Sequence, residues 1–89
     1  MTKPTLHLNG TAASDLLAQY NAAHAAVHAA LEALCKAAPH GRDYYPQDLF
    51  RDNLTFFQAQ EQHEERRRKL VSVLVELDEL RTHVADNMR

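Results

Sequence analysis

The chain has 89 residues, which is the size of one ordinary domain and leaves no room for a second. Apolar residues make up 45% of it, but many are alanines, Trp is absent, and Phe and Tyr number three each, so the core must be thin. The formal net charge of −2 lacks the basic excess of proteins that bind nucleic acids or anionic membranes. A chain with so little core is expected to need a partner.

Neither a secretory signal peptide nor a membrane span can be recognised in the sequence, since no apolar run approaches the roughly 18 residues that a span needs. Cys35 is the only cysteine, which excludes an internal disulfide and a cysteine zinc cluster and favours a reducing compartment. These observations predict a soluble cytoplasmic protein with no membrane partner.

Residues 1–10 predict a short extended arm, because polar and apolar residues alternate before the turn pair Asn9-Gly10. Helix 1 is predicted from about residue 12 to residue 38. A stripe of mainly apolar residues recurs along it at alternating three- and four-residue spacing, the pattern of a helix packed on another helix in a coiled coil. The stripe consists of Leu17, Tyr20, His24, Val27, Leu31, Leu34 and Ala38.

Residues 39–46 predict a loop, because Pro39 and Gly41 end helix 1 and Pro46 suits the first turn of a following helix. Helix 2 is predicted from about residue 47 to residue 86, with residues 52–53 as the candidate position for a break. The predicted fold is therefore all-α: one antiparallel helical hairpin with long helices and an extended N-terminal arm.

Folding the two helices back through this loop sets His24 opposite Glu64 and Leu17 opposite Val71. In that register the C-terminal part of helix 2 extends beyond helix 1 although it is rich in Leu and Val. Exposed apolar surface of this kind usually marks an interface, so we expect a homodimer that completes a four-helix assembly. The predicted oligomer interface consists of Leu70, Val73, Leu74, Leu77, Leu80 and Val84.

The predicted loop is the most distinctive candidate for a binding surface. Tyr and Arg are enriched in binding hot spots, because each combines a large contact area with directional hydrogen bonds. The alternative is that the tyrosines close the end of the hairpin core while the charged residues fix the turn. The candidate partner-binding residues are Arg42, Asp43, Tyr44 and Tyr45.

One basic run offers a nucleic-acid alternative, since such a run on a helix can contact a phosphate backbone. Four consecutive helical residues point in different directions, however, and Glu64 and Glu65 are expected to pair with Arg68 and Lys69, four positions later. A solvated, salt-bridged segment is therefore favoured over nucleic-acid binding. The run consists of Arg66, Arg67, Arg68 and Lys69.

His24, His28 and Glu32 line one side of helix 1, and a His-x-x-x-His spacing can hold zinc or another transition metal, with His63 or Glu64 as a further ligand. An ordinary pair of histidines is the favoured interpretation, so no metal or other cofactor is expected. Glycine-rich phosphate loops and the nucleophile elbow of hydrolases are absent from the sequence. No catalytic residue is predicted, and an enzyme is not expected.

In four motifs the chain resembles a group of short proteins encoded by tailed bacteriophages and bacterial prophages. The motifs are residues 7–11 (HLNGT), Leu16-Leu17-x-x-Tyr20, residues 42–47 (RDYYPQ) and His63-x-x-Arg66. In those proteins a glycine tends to follow Pro-Gln, where this chain has Asp48. The resemblance implies a phage or prophage protein in the bacterial cytoplasm and carries over no catalytic residue. The expected function is a non-enzymatic interaction or assembly protein, with a phage or host protein as a possible partner besides a second copy.

Overall fold

The computed structural model of the chain describes residues 1–6, 12–48 and 53–88, which form three helices and, within these ranges, no strand. Helix α1 spans Ala13–Lys36, α2 spans Gly41–Asp48 and α3 spans Leu54–Asp86. The all-α prediction is thus confirmed for the described part of the chain. The molecule is a rod with extents of 65 × 20 × 18 Å.

Helix α1 packs along α3 on one side only. Its half-buried residues follow the spacing of three and four that was expected for a helix facing a partner helix. Alanines occupy most of the remaining surface, where they favour the helical state without adding to the core. The half-buried side chains include Leu17, Tyr20, His24, Val27, Leu31 and Leu34, whereas Ala38 is exposed beyond the end of α1.

The two long helices run antiparallel, but in a different register from the predicted one. His24 shares a groove with Leu74 and Asp78, not with Glu64. The predicted pairing of His24 with Glu64 is therefore wrong by about three helical turns. The reason is that 17 residues, from Ala37 to Asn53, separate α1 from α3, so α3 starts later in the sequence than a tight loop would require.

Part of that connection is helical, which corrects the predicted loop at residues 39–46. Helix α2 contacts α3 and makes no comparable set of contacts with α1. Helix 2 was predicted from about residue 47 with residues 52–53 as a candidate break, and in the structure α2 ends at Asp48 and α3 begins at Leu54. Asn53 lies at the candidate break with a φ of 64°, while residue 52 lies outside the described ranges.

The corrected register also removes the predicted C-terminal overhang. Val84 is the one fully buried apolar side chain among the described residues, at 0% exposure. Leu70, Leu74, Leu77 and Leu80 are half-buried, so the predicted oligomer interface lies largely inside the chain's own helix packing, and Val73 is its one exposed member. The part of α3 that extends past α1 is its N-terminal part.

The start of the chain lies against the C-terminal end of α3, at the end of the rod opposite α2. The backbone carbonyl of Pro4 accepts a hydrogen bond of 2.9 Å from Nε2 of His83 near the end of α3. Residues 1–6 have no regular secondary structure, and the rest of the predicted arm, with the Asn9-Gly10 turn and the motif at 7–11, lies outside the described residues. The N-terminal segment therefore contributes to covering the C-terminal end of α3, next to the buried Val84.

Candidate functional site

The α2–α3 corner, formed by residues 41–48 and 53–60, is held by a buried carboxylate. Asp48 is only 6% exposed, and its Oδ1 and Oδ2 accept hydrogen bonds of 2.8 and 2.9 Å from the backbone N–H groups of Thr55 and Phe56. Amides in the first turn of a helix lack partners within that helix, and the positive end of the helix dipole favours a negative charge. Asp48 therefore caps α3 from the end of the preceding helix.

The sequence analysis missed this cap, because it placed Asp48 in the first turn of the predicted helix 2. Asn53 occupies the usual capping position of α3 but makes no side-chain cap, and its left-handed backbone is one that asparagine tolerates better than most residues. The backbone carbonyl of Asn53 still accepts a hydrogen bond of 3.0 Å from the N–H of Phe57. Asp48 lies seven positions before Thr55, so it does not fit the short-range sequence pattern by which helix caps are recognised.

A row of aromatic rings crosses the α2–α3 corner. The ring centroids of Tyr44 and Phe56 are 6.3 Å apart, and those of Phe56 and Phe57 are 5.9 Å apart, within the range of favourable tilted contacts. Tyr44 and Phe56 are half-buried, so Tyr44 closes the apolar contact between the two helices. This placement matches the alternative in which a tyrosine covers the end of the core.

The outer surface of the corner is apolar and open. Tyr45 is 66% exposed, Leu54 is 45% exposed and Phe57 is 55% exposed. Of the candidate partner-binding residues, Arg42, Asp43 and Tyr45 are exposed on α2 and Tyr44 is not. Leu54 and Phe57 lie one turn apart on α3, and the sequence analysis did not select them because their exposure depends on where α1 ends.

The basic run lies in the middle of α3 and is partly neutralised. Both oxygens of Glu64 accept hydrogen bonds from Arg67, at 2.9 Å from Nε and 2.7 Å from an Nη atom, while Lys69 lies 3.9 Å from Glu65. The expected pairing of Glu64 with Arg68 is therefore wrong, since the half-buried Arg67 takes that partner. Arg66 and Arg68 are exposed, but the run presents no single basic face.

The ion pair favours the charged form of both of its members, which lowers the pKa of Glu64 and raises the pKa of Arg67. The pKa of Glu64 lies below its ordinary value of 4.5, chiefly because the Arg67 side chain donates hydrogen bonds to it. The pKa of Arg67 is raised, first by the same hydrogen bonds and to a smaller extent by charge interactions with Glu64 and with Cys35 of α1.

The candidate metal ligands are not brought together. His28 Nδ1 lies 3.3 Å from Glu32 Oε1 with both side chains exposed, while His24 faces the groove beside Leu74 and Asp78. His63 and Glu64 lie at a different level of the rod because of the corrected register. Among the described residues, no group of three or more His, Cys, Asp or Glu side chains is placed to hold a metal ion.

Two open grooves follow the C-terminal half of α3. The first, of about 380 Å³, is lined by Lys3, by residues of α3 between Asp78 and Asp86, and by Asn87. The second, of about 430 Å³, is lined by His24, Leu74, Val75, Asp78 and Glu79. Both grooves are lined by Glu79 and by Asp78, which is paired with Arg81 at 2.8 Å, so carboxylates lie beside the apolar residues on this side of the rod.

No family model matches this chain. No curated protein and no solved structure matches it either. In the described ranges, no helix has both the length and the apolar character that crossing a membrane requires.

Proposed function

We propose that this chain is a non-enzymatic helical interaction protein that functions through contact with another polypeptide chain. The observation that carries the proposal is the thin core. Val84 is the one buried apolar side chain among the described residues, while seven large apolar side chains are exposed. A fold that leaves this much apolar surface in water gains stability when a second chain covers it.

The surface area supports the same proposal. The chain exposes 6685 Å² to solvent. A compact monomer of 10.1 kDa is expected to expose about 5,300 Å². The excess of about 1,400 Å² per chain is comparable to what one partner contributes to a stable protein interface. The long, narrow shape of the rod accounts for the excess and provides the contact surface.

The motifs that resemble phage and prophage proteins suggest the setting of this function. In that setting the chain acts in the bacterial cytoplasm, in assembly, in packaging, or in modulation of a host protein. The corner between α2 and α3 carries one of these motifs, residues 42–47, together with the exposed Tyr45, Leu54 and Phe57. This coincidence makes the corner the first surface to examine for a partner.

The proposal is tested by purifying the tagged full chain from bacteria that carry its gene and measuring the mass of the product by light scattering, with mass spectrometry of the co-purified chains. We expect a stoichiometric complex with another polypeptide, either a second copy or a different protein. A single species of 10.1 kDa with no stoichiometric companion would contradict the proposal.

A further inference from the structure

We propose that a second copy of this chain docks on the α2–α3 corner, with Tyr45, Leu54 and Phe57 at the centre of a two-fold interface. This inference rests on the proposed interaction function and specifies its partner and its surface. It differs from the C-terminal interface predicted from the sequence, of whose residues four are half-buried and Val84 is buried against the chain's own helices.

The packing leaves the corner incomplete. Helix α1 ends at Lys36, beside the middle of α3, so the first turns of α3 have α2 as their neighbouring helix. Helix α2 has only eight residues and is about 12 Å long. It covers Phe56 through Tyr44 but leaves Leu54 and Phe57 exposed on α3 and Tyr45 exposed on its own surface. Aromatic and large aliphatic residues at the centre of a patch are typical of binding hot spots.

The area fits a dimer. Covering an excess of about 1,400 Å² on each of two chains would bury about 2,800 Å² in total, within the range of homodimer interfaces. The corner alone is smaller than this, so it forms the centre of the interface while the neighbouring surfaces of α2 and α3 form its rim. In a two-fold interface the same patch is used twice, and one exposed corner per chain is sufficient.

The absence of charged side chains in the first turns of α3 is compatible with a second copy at this position. A two-fold interface places the residues at its centre near their own copies, so any net charge there is repelled by itself. Residues 54–60 of α3 (LTFFQAQ) contain no charged side chain, and Glu61 is the first one after them. The exposed Val75 is less suitable, because it shares its groove with the carboxylate of Glu79 and with Asp78, which is paired with Arg81 at 2.8 Å.

Val75 also provides a matched control. It is 51% exposed, close to the 55% of Phe57, and lies on the same helix. Phe57→Ser also removes the ring contact with Phe56, so circular dichroism should first establish that both Phe57→Ser and Val75→Ser remain helical. Sedimentation velocity over a dilution series should show that Phe57→Ser raises the dissociation constant of the dimer by at least about 30-fold, the effect of losing a central anchor. Val75→Ser should change it by less than about threefold.

Cross-linking gives a second test that does not depend on weakening the dimer. The Cys35→Ser/Leu54→Cys variant should form covalent dimers with a short bismaleimide at micromolar concentration, because the two copies of residue 54 lie close together across the axis. The Cys35→Ser/Val75→Cys variant should remain uncross-linked. Equal cross-linking of the two variants, or a Phe57→Ser dimer as tight as the unaltered one, would overturn the proposed surface.

The same experiments separate this inference from the proposed function. A monomeric chain that binds a different protein, with binding lost in Phe57→Ser, would overturn the second copy as occupant and leave the interaction function intact. A monomeric chain with no companion of any kind would contradict both.

Discussion

Replacing Asp48 with alanine removes the carboxylate that accepts hydrogen bonds from the N–H groups of Thr55 and Phe56. Loss of a helix N-cap typically costs about 0.5–2 kcal/mol, and hydrogen bonds to charged groups contribute about 1.5–3 kcal/mol each. The two amides are partly buried and water can reach them in the variant, so the terms do not simply add. We expect Asp48→Ala to lower the free energy of unfolding by about 2–3 kcal/mol.

This loss is large for a chain of 89 residues, whose total stability is expected to be roughly 4–13 kcal/mol. Urea denaturation followed by circular dichroism measures it, provided that all variants are compared at one protein concentration. Hydrogen exchange gives a local readout, because protection of the Thr55 and Phe56 amides should fall more than protection in the middle of α3.

Two variants serve as controls for Asp48→Ala. Asp48→Asn retains one acceptor oxygen but loses the charge, and should cost about 1 kcal/mol. Asp43→Ala removes an exposed carboxylate from the first turn of α2 and should change stability by less than about 0.5 kcal/mol. If Asp48→Ala unfolds with the same free energy as Asp43→Ala, the capping role of Asp48 is refuted.

The remaining predictions concern the core, the ion pair and nucleic acid. Val84→Ala should lower the free energy of unfolding by about 2 kcal/mol in urea denaturation, whereas the exposed Val73→Ala should cost less than about 0.5 kcal/mol; equal costs would contradict the burial of Val84. Because the pKa of Glu64 is lowered in the folded chain, its contribution to stability is present above pH 4.5 and is lost as the pH falls through the lowered value. The thermal midpoints of the unaltered chain and Glu64→Gln should therefore converge between pH 7 and pH 3, and a constant difference would argue against the pair. The full chain should pass through a DNA column at about 0.15 M salt, and salt-sensitive retention lost in an Arg66/Arg67/Arg68 triple alanine variant would instead support nucleic-acid binding.

The packing side of α1 was predictable because its signal is periodic and local. Stripe residues from Leu17 to Leu34 are half-buried as expected, since each turn of the helix repeats the same requirement for apolar contact with α3. His24, the histidine in this stripe, was expected to lie opposite Glu64. That pairing depended on the assumed length of the connection between the two long helices. A local pattern determines which side of a helix is covered, but not which turn of the partner covers it.

The connection was mispredicted because short helices have weak sequence signals. Helix α2 has eight residues, contains Pro46 and lacks a repeating apolar pattern, so residues 39–46 were interpreted as a loop that ends helix 1 at Pro39 and Gly41 and starts the next helix at Pro46. Because residues 41–48 are helical, α3 must start later, the register moves by about three turns, and the exposed apolar end of α3 becomes its N-terminal one. The candidate surface follows directly from this single difference.

The polar contacts were partly predictable. Pairing of Glu65 with Lys69 follows the i,i+4 rule, although its 3.9 Å separation makes it a weak exposed pair. Glu64 was expected to bind Arg68 by the same rule, but Arg67 is half-buried beside α1 and donates two hydrogen bonds to it. Which of two neighbouring arginines faces the partner helix depends on tertiary packing, and the spacing of charges does not contain that information.

The central claim is that the stability of this helical rod depends on association with a second copy. The direct measurement is the midpoint of thermal unfolding of the unaltered chain across a hundredfold range of concentration. A dimer that dissociates as it unfolds gains about 1.4 kcal/mol per chain over that range, which should raise the midpoint by about 5–10 °C. A midpoint that does not change with concentration would contradict the claim.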